Sequence, residues 1–280
     1  MFNKQIVILF VLCFTFNCHS QIDVSSVLPI RVLYTKDIND ADKMNYVVTS
    51  KDTFYAKSKV IKNLNHLKSG AYDVNTMNSY LNSVFPFKSK SCIEISHLNQ
   101  WTSSIVIYFD KDIPKETIKD IKAFYKDISS IKNFNIIFTK DINEANYRIK
   151  LTSEILKKKS VCFSFDNIKN EEKFIFNNCK YSLIPDSNNN VISCILEVND
   201  KLLKDKELLL SNIKQALFLS FCHFYPDHFL ENDNSFLSTR YKNNDVISDF
   251  DLNLLKIHYA EIYNCKVEKQ TLIDLYHLVN

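Results

Sequence analysis

The spacing of apolar residues changes period repeatedly along this chain, and each change predicts an element. Ile105–Phe109 is a β-branched and aromatic run that suits a buried strand. Residues 110–113 turn the chain, and Pro114 stands in a first helical turn, where its missing N–H is harmless. Ile118, Ile121, Tyr125 and Ile128 then form one stripe of a helix reaching about Ser130. Residues 135–138 and 147–151 read as strands joined by a polar stretch, and 153–180 as a charged insertion with a hairpin-like centre between Cys162 and Cys179. Residues 191–198 read as a further strand, entered through the Asp/Asn-rich turn at 186–190. From about Asp205 the pattern turns apolar nearly all round (Leu208, Leu209, Ile213, Ala216, Leu217, Leu219, Phe221), which predicts an interior helix ended by Pro226. A polar loop over 232–244 surrounds Phe236 and Leu237. Ser248 with Asp251 three residues on makes a capping-box pattern for a last helix that turns Leu252, Leu255 and Tyr259 inward.

The N-terminal third is less patterned. A strand over 30–34 and helices over 53–67 and Val74–Val84 are expected, broken at Ser69-Gly70, and Pro86 with Lys88-Ser89-Lys90 marks a boundary. The organisation is thus a leader over 1–20, an extension over 21–90 and a main domain over 91–280. The stretch from Thr35 to Ala41 nearly repeats as Thr139 to Ala145, read as a shared strand-end turn rather than a duplication.

Composition narrows the function classes. The 280 residues are 46% hydrophobic and 13% aromatic, enough for one good core. A formal charge of +3 without a lysine-rich patch gives no reason to expect nucleic acid. The one glycine is Gly70, so turns must fall to Asn and Asp, which tolerate left-handed backbone. Lys4 followed by the apolar run 6–16, with Cys18-His19-Ser20 as a cleavage site, reads as a signal peptide, with Gln21 as the mature N-terminus; an anchored lipoprotein using Cys18 is the weaker alternative. No later stretch is long and apolar enough for a transmembrane helix, so a periplasmic, cell-surface or secreted protein is expected.

Six cysteines follow the leader: Cys92, Cys162, Cys179, Cys194, Cys222 and Cys265. An even number in an exported chain favours disulfides, without fixing the connectivity. Cys162 with Cys179 would close the insertion, and Cys222 with Cys265 would tie the interior helix to the C-terminal segment. Free buried thiols are the alternative, above all for Cys194.

Several constellations invite chemistry. Cys222, His223, Asp227 and His228, with His258 from the last helix, could approach a metal, but their spacing is no known ligand pattern and Pro226 intervenes. A histidine pair at a helix end more often answers the helix dipole. Cys222 beside His223 suggests a nucleophile, yet neighbours on a helix point about 100° apart and make a poor dyad. Asp249 and Asp251 are explained by capping.

The order of these elements, with Gln100 to Ile107 ahead of the first helix and the Ala145-Asn146 pair before a strand, resembles the first half of a metzincin-like domain. Gln215 to Leu219 is similar to part of a zinc helix, and Ser248 to Asp251 with Leu254, Leu255 and Tyr259 is similar to the helix that closes such domains. The combination resembles a family of exported bacterial proteins of unknown function with a degenerate zincin domain. There the zinc helix begins with paired glutamates, absent here, and carries glutamine for the second histidine. The resemblance implies an α+β, zincin-like fold over roughly residues 97–265: a twisted mixed β-sheet with a long helix, a buried former zinc helix and a C-terminal helix. It places the first ligand at Ser211, the general base at Asn212, the second ligand at Gln215, the helix-ending glycine at Phe218 and the third ligand near Phe221. Hydroxyl and amide groups are poor zinc ligands, and Asn212 cannot take a proton from bound water. The implied protein is non-catalytic, without cofactor. It would bind an unknown protein or peptide in a peptide-type cleft, with residues 191–198 as the edge strand that pairs with an extended chain. The alternatives are a metal-dependent peptidase or hydrolase with displaced ligands and a structural envelope protein.

Overall fold

The computed structural model describes residues 27–29, 46–48, 53–56, 72–85, 98–154, 156, 164–166, 171–187, 190–227 and 230–263. The expected leader and the strand over 30–34 lie outside them. Three short strands, β1 (Val27–Pro29), β2 (Tyr46–Val48) and β3 (Thr53–Ala56), form a small antiparallel sheet with β3 in the middle. Residues 53–56 are therefore strand and not the start of the expected helix; Thr53, Phe54 and Tyr55 are β-branched or aromatic, and pairing on both sides overrides a helical period. Helix α1 (Val74–Val84) has the expected bounds, with the Asp73 carboxylate accepting from the Asn75 and Thr76 N–H groups.

The main body is mixed α and β. Its strands are β4 (Gln100–Trp101), β5 (Ile105–Phe109), β6 (Ile136–Thr139), β7 (Tyr147–Thr152), β8 (Ser164–Asp166), β9 (Glu171–Phe176), β10 (Cys179–Pro185) and β11 (Asn190–Asn199). They make one mixed sheet in the order β6-β5-β7-β11-β10-β9-β8, with β4 paired to the start of β11. The pairs among β6, β5, β7 and β11 are parallel; β10, β9 and β8 add on antiparallel. The β9–β10 hairpin turns on Asn177 and Asn178, both at positive φ (45° and 62°), where glycine-poor sequence needs asparagine. The second copy of the near-repeat forms a strand end and a single turn, Ile142–Glu144, capped by Asp141.

This topology corrects one expectation. Strand β11 is not an edge. It pairs with β7 along one side and β10 along the other, and β10 is covered by β9 and β9 by β8. Its backbone N–H and C=O groups are used within the sheet, so strand addition along 191–198 has no free ladder to join.

Helix α2 (Lys115–Phe124) continues as a tighter turn, Lys126–Ser130. Helix α3 (Lys206–Cys222), capped by the Asp205 carboxylate, is interior: Ile213, Leu217, Phe218, Leu219 and Phe221 are fully buried, although Leu208 is half-exposed. Phenols from three elements hold it. Tyr125 donates to Lys214 O at 2.6 Å, Tyr147 shares a 2.6 Å hydrogen bond with the Ser220 hydroxyl, and Tyr259 donates to Phe221 O. Helix α4 (Asp249–Lys256) runs on as a wider turn, Ile257–Glu261, and buries Leu254, Leu255 and Tyr259, with Leu252 only partly covered. Helix α1 packs into the same core through Met77, Tyr80 and Val84, and Ser83 O accepts from the Tyr225 N–H at 2.8 Å.

Candidate functional site

The positions that the resemblance assigns to zinc chemistry are structural. Gln215 is buried, and its amide is tied to two separate segments. Nε2 donates to Phe236 O at 2.9 Å and to Ser238 O at 2.8 Å, while Oε1 accepts from Asn177 Nδ2 at 3.1 Å. Both amide protons and a lone pair are thereby committed to holding the 236–238 loop and the β9–β10 turn against α3. Asn212 turns back on its own helix, donating to Leu208 O at 2.7 Å, and the Cys179 thiol lies 3.8 Å from Asn212 O. The space bounded by Phe174, Cys179, Asn212 and Gln215 has no volume that admits a water molecule. Phe218 stacks on Phe236 at 4.8 Å, and Phe221 lies edge-on to Tyr125 and Phe134, each at 5.5 Å, so the third ligand position is inside an aromatic core. Ser211 is half-buried.

The alternative cluster is dispersed. His258 is completely buried; Nε2 lies 3.2 Å from Asn99 O and Nδ1 3.1 Å from the Tyr80 hydroxyl. A carbonyl can only accept, so Nε2 carries the proton and Nδ1 accepts from Tyr80. Burial pushes this imidazole down to about 3, partly opposed by the Asn99 carbonyl. His223 ends α3 in the left-handed conformation (φ 54°, ψ 40°), its N–H bonded to Leu219 O. Its Nδ1 lies 2.6 Å from Asn99 Nδ2 and 3.3 Å from Glu172 Oε2. Asp227 donates its backbone N–H to Leu237 O, and His228 lies outside the described residues. Among the described residues no three His, Cys, Asp or Glu side chains converge as a ligand set.

Cys179, Cys194 and Cys222 are buried free thiols in the structure; Cys162 and Cys265, the expected partners of Cys179 and Cys222, lie outside the described residues, as does Cys92. Burial pushes the Cys179 thiol up to about 12 and those of Cys194 and Cys222 well above their usual value. Neutral buried thiols are poor nucleophiles, which removes the Cys222 reading.

Asp251 does more than complete a capping box. It is fully buried and accepts from Ser235 Oγ at 2.6 Å, Ser248 Oγ at 2.7 Å and the Phe236 N–H at 3.3 Å. It thereby holds the same loop that Gln215 holds. Burial raises its carboxyl to about 6, against the pull of those three donors. Asp249 sits in the first turn of α4, where an acid is favoured, and is exposed.

Sequence reasoning missed Asn99, which joins the two histidines, and Glu172, which faces His223. Glu172 could have been found: the alternation of β9 puts it on the inward face with Phe174 and Phe176.

A groove of about 690 Å3 opens between α2, α3, the 243–247 loop and α4. That volume lies in the usual range of ligand sites. Its floor is apolar (Phe124, Ile128, Leu210, Leu252), and Asp120, Glu207 and Asp245 stand around it. Lys214, on α3 next to Gln215, sits beneath with its charge already engaged. Its Nζ donates to Asn243 Oδ1 at 3.0 Å and Asn244 O at 2.7 Å and lies 4.1 Å from the Phe124 ring centre. Burial lowers its ammonium pKa, opposed by Asp245, Glu207 and Asp120. Val246, 74% exposed, forms part of the wall. No protein-family model matches this chain, and no curated protein is significantly similar to it in sequence.

Proposed function

We propose that this chain is an exported, non-catalytic zincin-like protein that acts by binding, and that the groove beside α3 takes a partner's polypeptide segment with apolar and basic side chains. The observation that carries the non-catalytic reading is the Gln215 amide, whose protons and oxygen serve Phe236, Ser238 and Asn177 at the position where the zincin resemblance asks for a metal ligand. The zincin-like reading rests on the order of elements from β5 to α4, and export rests on the leader-like start of the sequence.

The ligand class follows from charge. Glu207 and Asp245 are exposed at the groove, and Asp120 pairs with Lys206 at 3.5 Å, which also serves Glu116. Lys214 is held by neutral oxygens and a ring, and exposed Lys256 also lines the groove, so three carboxylates against two lysines leave the lining net acidic over an apolar floor. An apolar side chain flanked by lysine or arginine complements that surface.

Fluorescence anisotropy with labelled basic-apolar, acidic-apolar and neutral polar peptides tests this. The basic-apolar class binds, and Asp245→Lys weakens it by about tenfold or more, since like charges at an interface are strongly unfavourable. Val246→Asp on the same wall weakens it through lost apolar contact. Binding by none of the three classes, or binding indifferent to both substitutions, contradicts the proposal.

A further inference from the structure

We propose that Glu172 and His223 bind a single shared proton, which makes the junction between β9 and the end of α3 an acid-strengthened contact. Three atoms meet there in a triangle. Asn99 Nδ2 lies 2.8 Å from Glu172 Oε2 and 2.6 Å from His223 Nδ1, and those two are 3.3 Å apart. Without an added proton Oε2 and Nδ1 are both acceptors, facing each other across 3.3 Å and kept together by the two Asn99 amide protons. One proton taken from solvent onto Glu172 Oε2 turns that opposition into an O–H donation toward Nδ1, whereas a proton on Nδ1 itself would face the Asn99 N–H at 2.6 Å. The Asn99 N–H on Oε2 is kept, and Nδ1 shares its lone pair between the Glu172 hydroxyl and the other Asn99 proton. The balance is one proton gained, with no bond to carbon changed.

The surroundings favour a proton over another cation. Glu172 is mostly buried, and among the described residues His223 is the basic side chain that lies in ion-pair range of it. The other titratable groups nearby are Tyr181 on β10, with Cys222 and Tyr225 beyond it, and His258 on the far side of the Asn99 carbonyl. On β9 itself Lys173 points to the opposite face. Burial holds the Glu172 carboxyl up at about 7, against the Asn99 donor. The raised value fixes the sign: the contact is strongest below the ordinary carboxylate range and weakens as pH rises through about 7. Strand β9 covers the otherwise open side of β10, so the proton sets how firmly that strand is held.

Hydrogen–deuterium exchange, corrected for intrinsic rates, tests this on the full chain. The protection of residues 171–176 is compared with that of 105–109 between about pH 8.5 and pH 6. The ratio rises by roughly tenfold on acidification in the wild type, one pKa unit being a tenfold change. It is flat in Glu172→Gln and in His223→Asn, the latter chosen because asparagine tolerates the left-handed backbone. A flat ratio in the wild type, or the same rise in either variant, overturns the proposal, and the wild-type titration alone suffices if a variant does not fold.

Discussion

Gln215→Leu is expected to destabilise the fold by about 4 kcal/mol, with little change in side-chain volume. The substitution leaves the Phe236 and Ser238 carbonyls and the Asn177 amide without their partner, and each buried polar group left unpaired costs about 1–3 kcal/mol. Asn212→Ala is the matched control. Its amide bonds only to Leu208 O on the same helix, and a local side-chain bond of that kind contributes well under about 1 kcal/mol. Urea denaturation of both variants separates the two positions. If Gln215→Leu is no more destabilised than Asn212→Ala, the strut role assigned to Gln215 is wrong.

Acidification from pH 7 to about pH 4 is expected to remove about 3 kcal/mol of stability through His258 alone. The folded pKa, about 3, lies below the unfolded value, so the neutral imidazole contributes stability that is complete above pH 6.5 and is lost as pH falls toward 3. Asp251 and Glu172 work the other way. Their folded values, about 6 and about 7, are raised, so their contribution is full below the ordinary carboxylate range and declines as pH rises through those values. The wild-type profile is therefore a shallow dome, and the His258 limb is read by difference. Against His258→Gln, denaturation midpoints converge with falling pH as the wild type loses the imidazole term. Parallel profiles for the two proteins contradict the assignment of a buried neutral His258.

How much of this was legible depended on sequence distance. The cap at Ser248 and Asp251 is a four-residue pattern, and its Ser248 arm formed as read, while the Asp251 carboxylate turned to Ser235, the Ser248 hydroxyl and the Phe236 N–H. Strands β5, β6, β7 and β11 announced themselves as β-branched runs, and the all-round apolar pattern of α3 signalled burial. The place of β11 in the sheet did not, because an apolar strand reads the same at an edge or between two neighbours, and the answer lay in how β9 and β10 fold over it. Asn99 escaped for a similar reason. Its partners Glu172 and His223 are 73 and 124 residues away, and buried amides look like surface residues until their partners are known. The polar positions of α3 were read as poor zinc ligands from their chemistry alone, and a short motif could not show that Gln215 has partners on two distant segments.

The most direct test of the central claim, that Gln215 serves as a strut and not as a metal ligand, is the zinc content of the purified full-length protein. Elemental mass spectrometry after dialysis into metal-free buffer without chelator gives it in one measurement. The account predicts no stoichiometric zinc, because the Gln215 amide is committed to Phe236, Ser238 and Asn177. Zinc retained in stoichiometric amount would contradict it.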